Sequence, residues 1–422
     1  MSTTVRSFVA QMYDQFVKPD PAHITLETIR QSPNRLAPAY SQFRVHKRLL
    51  LTGHSHQAWP DVALIGHLHA WKDAADYVDD KWERAFHMAE RVQRGFARLL
   101  DDSGGWYSLA PNTHDLLIRF LSALPLMHRP KIITTDGEFH TIRRQIDRFA
   151  EESLLEIVRV PASPANELAQ RLVDEIDEKT AVVLVSAVLF QSAEIVPDLA
   201  GVLERCQHLG AELLIDAYHA LNVVPFSLPQ QGLEAAFVLG GGYKYCQLGE
   251  GNCFLRTPPD CQLRPIITGW FAEFDQLSQG KRNSRVLYGN SGLRFAGATY
   301  DPTSHYRAAE VFHFFEELNL TPEFLREVSQ HQIGVLIDQF DQLDLDPAQI
   351  DRNRDIPRSQ LGGFLALTSP QATEIQRKLH DRGLLTDVRA NILRLGPAPY
   401  LSDDQLIESI HLLGDTVRNQ SV

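Results

Sequence analysis

The chain has 422 residues, of which 44% are hydrophobic and 22% are charged, which is enough to bury the core of a large domain and a smaller companion. Its formal net charge of −12 and its lack of a basic run argue against nucleic-acid binding, which needs clustered lysine and arginine. No apolar stretch reaches the roughly 18 residues of a membrane span and the N-terminus lacks a secretory core, so we expect a cytoplasmic protein that binds no membrane.

The first half of the chain begins with an arm and a helical region. Residues 1–60 are predicted to form an N-terminal arm that packs with a small domain. From about residue 61 to residue 100, apolar residues recur at spacings of three and four with charges between them, which predicts helix.

The pattern then changes to short runs rich in valine, isoleucine and leucine. These runs are KIITT, EIVRV, TAVVLVSAV, AELLIDAY and AAFVLGG, and helical segments such as ANELAQRLVDEID separate several of them. Apolar strands that alternate with helices predict a mainly parallel sheet with helices on both faces. Residues 61–300 are therefore predicted to form a large α/β domain.

The last part of the chain, residues 301–422, is predicted to form a smaller α+β domain. Two helical segments come first, SHYRAAEVFHFFEELN and PEFLREVSQHQIGVLIDQFDQL. The runs GGFLALTS and NILRLGP then predict strands on either side of a helix at PQATEIQRKLHDRG.

One lysine stands out because of its surroundings. Lys244 follows an apolar strand in the segment VLGGGYKYCQLGEG, where glycines allow another molecule to approach the backbone. A partly desolvated lysine amine is a nucleophile that forms a Schiff base with a carbonyl. The alternative from the local sequence alone is a solvated lysine in an ordinary turn.

A carboxylate precedes this lysine at another strand end. Asp216 ends the apolar run AELLIDAY, and His219 lies three residues further on. Ligand sites gather at the carboxyl ends of parallel strands, and a carboxylate there needs a partner. A lysine that holds an aldehyde and an aspartate that keeps a pyridine nitrogen protonated form the pairing that pyridoxal phosphate needs. The alternatives are a helix cap for Asp216 and a core histidine for His219.

Three further positions suit such a site. Asn112 and Thr113 precede an apolar helix, whose free N–H groups can bind phosphate, although simple N-capping is the alternative. Phe139 follows a strand and a turn and could stack on a flat ring, or belong to the core. Arg394 lies among apolar residues and prolines, which suits bidentate binding of a carboxylate or a structural ion pair.

Two histidine pairs, His54 with His56 and His67 with His69, give no convincing metal site. Residues two apart on a helix do not share a face, and the first pair lacks further ligands. The four cysteines form no C-x-x-C pair, so reduced thiols are expected. We therefore predict no metal centre.

Several segments together resemble a known family. In chain order they are TGHSHQAWP, PNTHDLL, EFHT, DAYHAL, GGGYKYCQLGEG, TGWF and LHDRGLLTDVRANILRLGPAPYLS. With these segments the chain resembles kynureninase, of the class V aminotransferase group of fold-type-I pyridoxal-phosphate enzymes. The resemblance implies a homodimer with shared active sites and a small amino acid as substrate.

The resemblance also implies roles for individual residues. Lys244 would hold the cofactor aldehyde, Asp216 would face the pyridine nitrogen, and His219 would lie against the ring. Tyr243 would contact the phosphate and serve as an acid. The remaining roles are phosphate binding by Asn112 and Thr113, stacking by Phe139, a phosphate contact across the dimer by Trp270, binding of the substrate α-carboxylate by Arg394, and further substrate contacts by His54 and Ser55.

The chain departs from the family pattern where the substrate is expected. His54 replaces an asparagine, His56 and Gln57 replace a leucine and a glycine, and Ile142 stands where an acidic residue is usual. The expected reaction is hydrolysis of the Cβ–Cγ bond of a γ-keto amino acid such as L-kynurenine, as in tryptophan catabolism. The alternatives are transamination, desulfuration or another β-elimination of a different amino acid, and a paralogue that binds a metabolite without catalysis.

Overall fold

The structure, a computed structural model, describes residues 19–279, 285–289 and 291–419, so the first 18 residues of the predicted arm lie outside the described residues. Its strands are β1 (Leu49–Leu50), β2 (Trp106–Ala110), β3 (Lys131–Thr135), β4 (Glu156–Val160), β5 (Thr180–Ser186), β6 (Glu212–Asp216), β7 (Phe237–Gly241), β8 (Cys253–Thr257), β9 (Leu365–Thr368), β10 (Leu384–Leu385), β11 (Asp387–Arg389) and β12 (Ile392–Leu395).

The helices alternate with these strands over much of the chain. They are α1 (Leu26–Arg30), α2 (Val62–Tyr77), α3 (Lys81–Leu99), α4 (Thr113–Ala123), α5 (His140–Glu151), α6 (Leu168–Glu175), α7 (Leu199–Leu209), α8 (Leu228–Gln231), α9 (Thr303–Glu317), α10 (Pro322–Gln342), α11 (Ala372–Asp381) and α12 (Asp403–Arg418). Short 3₁₀ helices cover Pro21–His23, Ala37–Phe43, Val45–Lys47, Ala165–Glu167, Trp270–Gln279 and Arg358–Gln360.

The central sheet has seven strands in the order β2-β8-β7-β6-β5-β3-β4. Strands β7, β6, β5, β3 and β4 are parallel to one another, whereas β8 runs antiparallel to both β7 and β2. All five predicted strand runs are present, so the predicted α/β fold with a mainly parallel sheet is confirmed. The sequence reading did not identify β8.

Both faces of this sheet are buried, which explains why its strands are almost continuously apolar. Successive side chains of a strand point to opposite faces. Ile132, Val182 and Leu214 accordingly join one core cluster with α4 and α5, while Ile133 and Val183 join the other with α3, α6, α7 and α9. The sheet is therefore the middle layer between two layers of helices.

The predicted helical region after residue 61 is confirmed and consists of two helices. α2 ends before Val78, whose φ of 51° lies in the left-handed region that a β-branched residue disfavours. The chain reverses there and continues as α3, and both helices pack against α9. A Cβ at Gly66 would lie 2.5 Å from Cα of Arg307, and one at Gly95 would lie 2.4 Å from the ring of Phe312, so glycine is needed for this close approach.

The C-terminal part forms a separate antiparallel sheet in the order β11-β12-β9. The N-terminal arm joins it, because β1 pairs in parallel with β10 and Asn34 donates hydrogen bonds to the carbonyls of Pro399 and Leu401 at 2.9 and 3.0 Å. α9 contacts α2 and α3, although it follows the predicted boundary at residue 300. The boundaries near 60 and 300 stay predictions.

Candidate active site

A cavity of ≈ 280 Å³ opens at the carboxyl ends of the central strands. This edge of a parallel sheet is where ligand sites form, because loops from neighbouring strands converge there. The residues that line the cavity come from the ends of strands β5 and β6 and the loops that follow them, the loop between β7 and β8, the start of β8, and the starts of helices α4 and α5 with the residues before them. They are Pro111, Asn112, Thr113, Phe139, Thr141, Ser186, Val188, Phe190, Asp216, Tyr218, His219, Tyr243, Lys244, Glu250, Gly251 and Cys253.

Lys244 projects its amine into this cavity although the residue as a whole is buried. Its Nζ lies 2.7 Å from Nε2 of His219 and 4.8 Å from the ring centroid of Tyr218. Burial lowers the pKa of Lys244 to about 7, and the nearby Asp216 carboxylate opposes this effect. The structure thus contradicts the alternative of a solvated lysine, because Lys244 is only 5% exposed.

Asp216 forms another part of the wall at the end of β6. One carboxylate oxygen, Oδ1, accepts a hydrogen bond of 2.9 Å from the backbone N–H of Tyr218. Burial raises the pKa of Asp216, while that N–H and the charge of Lys244 lower it. The second oxygen has no partner in the described part of the chain, so Asp216 can still accept a proton or a hydrogen bond from a ligand.

His219 lies beside the amine of Lys244, and its imidazole is neutral. Burial lowers its pKa well below the usual value, and the charges of Lys244 and Arg394 lower it further. Its Nε2 is occupied by Lys244, and its Nδ1 is buried without a hydrogen-bond partner among the described residues. A buried imidazole nitrogen without a partner is costly, which indicates that a ligand group could supply one.

The glycines before Lys244 serve a different purpose from the one expected. A Cβ at Gly240, Gly241 or Gly242 would come within 2.3–2.8 Å of atoms of the protein itself, such as Cδ1 of Leu248 at Gly242. These glycines therefore let the loop close on its own core rather than make room for a ligand. Gly251, with a φ of +89°, is the glycine of this loop that lines the cavity.

The first turn of α4 supplies the free N–H groups of the site. The side chain of Asn112 caps the helix, since its Oδ1 accepts a 2.9 Å hydrogen bond from the N–H of Asp115. Asn112 and Thr113 also line the cavity, so the cap and a candidate anion site coincide. A helix N-terminus with a partial positive charge suits a phosphate.

Two rings besides that of Tyr218 flank the amine of Lys244. Its Nζ lies 5.3 Å from the ring centroid of Phe139 and 5.8 Å from that of Tyr243. Burial raises the pKa of Tyr243 to about 12, so its phenol stays protonated. The imidazole of His56 is stacked on Tyr243 with ring centroids 4.8 Å apart.

Arg394 approaches the site from the small domain on β12 and is only 3% exposed. Its Nη1 donates to the carbonyl of Phe190 at 2.6 Å and its Nη2 lies 2.9 Å from Oδ1 of Asp387. Its Nε is buried and donates to no acceptor in the described residues. Phe190 itself lines the cavity, so Arg394 is held beside it with a donor to spare.

Besides Arg394, three predicted site residues lie outside the lining of this cavity. His54 is fully buried, and its ring centroid lies 4.7 Å from that of Phe364. Neither nitrogen of the His54 ring has a hydrogen-bond partner among the described residues. The hydroxyl oxygen of Ser55 lies 3.1 Å from Nδ1 of His56. Trp270 is 45% exposed and packs on Phe271. The predicted roles of these three residues stay predictions.

The sequence reading missed a buried carboxyl group beneath the site. Glu138 accepts hydrogen bonds from the hydroxyls of Thr135 at 2.7 Å and Ser186 at 2.6 Å. Burial raises its pKa to about 7. Ser186 lines the cavity and pairs with Asp216 across β5 and β6. The available signal was the position of Ser186 at a strand end and of Glu138 directly before Phe139.

The arrangement fits pyridoxal phosphate. It offers a helix N-terminus for a phosphate, a neutral amine for an aldehyde, a buried carboxylate for a ring nitrogen and an unpartnered imidazole nitrogen beside them. In the described ranges, no group of three histidine, cysteine or acidic side chains is placed to hold a metal ion. No described helix has both the length and the apolar character needed to cross a bilayer.

Comparison with known proteins gives distant relatives only. No protein-family profile matches the chain. The chain is 19% identical over 343 residues to the uncharacterized aminotransferase YcbU of Bacillus subtilis, covering 80% of this chain and 86% of that protein. It is 23% identical over 357 residues to a kynureninase of Geobacillus thermodenitrificans, covering 79% of this chain and 80% of that protein.

The fold is shared with solved pyridoxal-phosphate enzymes. A C-DES mutant with glycine covalently linked to its PLP cofactor matches with a TM-score of 0.76 at 15% identity, over 89% of this chain and 98% of that one. The cysteine desulfurase CsdA of Escherichia coli matches with a TM-score of 0.70 at 13% identity, over 90% and 98%. The predicted fold of the type-I pyridoxal-phosphate enzymes and the resemblance to the class V aminotransferase and kynureninase-like group are thus confirmed, through distant relatives.

Proposed function

We propose that this distant relative of class V aminotransferases and kynureninases is a pyridoxal-phosphate-dependent enzyme that breaks a side-chain bond of an amino acid. The observation that carries the proposal is that Lys244 and Asp216 line one cavity of ≈ 280 Å³. Each charge shifts the pKa of the other group, which is expected of two groups that lie close together. The proposal is also supported by the similarity to the two relatives, because the matches extend over 80% or more of each of those proteins.

Pyridoxal phosphate, when bound, supplies an aldehyde that captures an amine and a protonated ring that accepts electrons from the substrate. The proposed contacts follow from the walls of the cavity. Asn112 and Thr113 would bind the phosphate with the first N–H groups of α4, Asp216 as a carboxylate would accept a hydrogen bond from the protonated ring nitrogen, and Phe139 would cover one face of the ring.

Lys244 has two tasks in this proposal. As a neutral amine it would hold the cofactor through the aldehyde that the cofactor supplies, and once released it would be placed to take up the α-proton of the substrate. His219, whose Nε2 lies 2.7 Å from Nζ, orients this amine. Because the pKa of Lys244 is lowered to about 7, the amine can accept and release a proton near neutral pH.

Tyr243 is the proposed acid. Its pKa, raised by burial to about 12, keeps a proton on the phenol oxygen through the physiological range. The phenol borders the same cavity as Lys244, so it can donate a hydrogen bond or a proton to a phosphate or a substrate carbonyl. Arg394 would bind the substrate α-carboxylate with the donors it has left.

The reaction that we place first is hydrolysis of the Cβ–Cγ bond of a γ-keto amino acid. Water adds its oxygen to the γ-carbonyl carbon, the Cβ–Cγ bond breaks and Cβ takes up a proton, so L-kynurenine would give anthranilate and alanine. The match to a kynureninase supports this choice. Transamination or β-elimination of another amino acid is the second candidate, because an uncharacterized aminotransferase and a cystine C-S lyase are also similar to this chain.

The deciding experiment incubates the reconstituted protein with L-kynurenine and follows anthranilate fluorescence. We expect a rise with the wild type and with Arg377→Gln, a control at a well-exposed arginine of α11. Lys244→Ala should give no rise and no visible cofactor band that borohydride removes. A Lys244-dependent band without anthranilate would favour the second candidate, and the absence of any band would favour a non-catalytic paralogue.

We further propose a cytoplasmic homodimer with shared active sites. Several large apolar residues near residue 270 are exposed in the single chain, among them Ile266 at 84%, Ile267 at 51% and Trp270 at 45%. A hollow of ≈ 690 Å³ also borders the candidate site and shares Pro111 and Gly251 with it. Exposed apolar patches of this kind are typical of subunit interfaces.

A further inference from the structure

We propose that Glu138 is a positioning residue of the candidate site, which holds Ser186 at the cavity wall and shares with Asp216 the control of charge beside the cofactor ring. The inference rests on the proposed function and deepens it by naming a second carboxyl group that regulates the same site. It begins from a hydrogen-bond network directly behind the cavity wall, in which Glu138 contacts a residue that lines the cavity.

The carboxyl group of Glu138 joins the ends of two neighbouring strands. Thr135 ends β3 and Ser186 ends β5, and Glu138 follows the turn that leads from β3 to α5. Its Oε1 accepts hydrogen bonds from the hydroxyl of Thr135 at 2.7 Å and from the backbone N–H of Ser186 at 3.1 Å. Its Oε2 contacts the hydroxyl of Ser186 at 2.6 Å. Glu138 therefore fixes both the backbone and the side chain of Ser186.

Ser186 places this network next to Asp216. Strands β5 and β6 are parallel, and Ser186 lies directly opposite Asp216 in their register. Side chains at paired positions of neighbouring strands project from the same face of a sheet, and both of these residues line the cavity. Ser186 thus lies between the two carboxyl groups, in contact with Glu138 and paired with Asp216.

Two buried carboxyl groups this close do not readily carry a charge at the same time. Asp216 is the one equipped to be charged, because the N–H of Tyr218 and the charge of Lys244 both favour its carboxylate. In the described ranges, the contacts of Glu138 on β3 and β5 are hydroxyls and an N–H rather than a cationic side chain. Burial raises the pKa of Glu138 to about 7, and the charge of Asp216 on β6 raises it further.

The protonation of Glu138 decides what the hydroxyl of Ser186 can donate. The backbone N–H of Ser186 can only donate, so Oε1 of Glu138 remains an acceptor and the proton belongs on Oε2. A protonated Oε2 donates to Oγ of Ser186, which leaves the hydroxyl hydrogen of Ser186 for an acceptor in the cavity. Loss of this proton withdraws that donor and places a second negative charge behind the wall.

The test follows two signals over the range from pH 5 to 10. One is the infrared absorption of the protonated carboxyl group in the apoprotein, assigned to Glu138 by its loss in Glu138→Gln. The other is the pH midpoint at which the visible cofactor band of the reconstituted protein changes wavelength. The further variants are Ser186→Ala, Asp216→Asn and Arg377→Gln, a control at an exposed arginine of α11.

We expect the infrared signal of Glu138 to disappear with a midpoint near pH 7. This midpoint should fall in Asp216→Asn, which removes a neighbouring negative charge, and rise in Ser186→Ala, which removes a donor to the carboxylate. The midpoint of the cofactor band should fall by about one pH unit in Glu138→Gln, because the charge that favours a protonated cofactor is lost. Arg377→Gln should change neither midpoint.

Two results would overturn the inference. One is a midpoint of the cofactor band that is the same in Glu138→Gln and the wild type, which is what a purely structural role predicts. The other is a Glu138 signal that Asp216→Asn leaves in place. If the wild type forms no cofactor band at all, the proposed function fails instead, and the infrared titration of the apoprotein still decides whether Glu138 and Asp216 are coupled.

Discussion

The protonation of Lys244 gives the sharpest prediction about this site. The amine is buried, and burial lowers its pKa to about 7 from the usual 10.5. At pH 7 about half of such amines are neutral, compared with about one in 3,000 for an ordinary lysine. Because only the neutral amine attacks an aldehyde, Lys244 should react with pyridoxal phosphate about 1,000-fold faster than a solvated lysine at this pH.

The perturbation is a change of pH combined with removal of one neighbouring charge. The negative charge of Asp216 favours the protonated amine and so raises the pKa of Lys244. In Asp216→Asn the midpoint of the reaction must therefore move to lower pH. Arg377→Gln, which changes an exposed charge on α11, should leave the midpoint in place.

The assay is the rate at which the visible band appears when apoprotein is mixed with pyridoxal phosphate between pH 5 and 10. Borohydride then fixes the adduct, and peptide mapping identifies the modified lysine. We expect a midpoint near pH 7 and modification of Lys244. A midpoint near 10, an upward shift in Asp216→Asn, or modification spread over surface lysines would refute the reasoning.

Two further predictions concern stability and assembly. Burial raises the pKa of Glu138 from 4.5 to about 7. The protonated side chain therefore adds about 3 kcal/mol to the free energy of unfolding, and this contribution is complete below pH 4.5 and is lost as the pH rises through 7. Urea unfolding should show this loss in the wild type but not in Glu138→Gln, and equal pH profiles would contradict it. For assembly, sedimentation equilibrium should give twice the chain mass of 47.7 kDa, and Trp270→Ser should weaken the dimer; a monomeric wild type would contradict it.

Much of the fold could be predicted from local pattern. The apolar strand runs and the helices between them predicted a parallel sheet covered by helices on both faces. A strand such as TAVVLVSAV is apolar on both sides, so it is stable only when both sides are buried. Strand β8 was not predicted from this pattern. It packs antiparallel between β7 and β2, and its direction depends on pairing with strands that are distant in sequence.

The candidate site was partly predictable for the same reason. Residues at strand ends or helix starts, such as Asp216 and Asn112, line the cavity, since the edge of a parallel sheet follows from strand direction alone. The burial of His54 could not be predicted from the sequence, because it arises from contact between the arm and Phe364 of the small domain. The glycines before Lys244 were misread because their neighbours, such as Leu248, become close only when the loop closes.

The sequence by itself predicted which residues lie at strand ends and on which edge of the sheet they gather, because strand period and strand ends are local properties of the chain. Only the tertiary structure decided their electrostatic state. Burial of Lys244 beside His219, the raised pKa of Glu138 and the pairing of Asp387 with Arg394 all depend on the exclusion of water by distant segments. Desolvation is a property of the packed molecule, so the protonation of these groups could not be read from their neighbours in the chain.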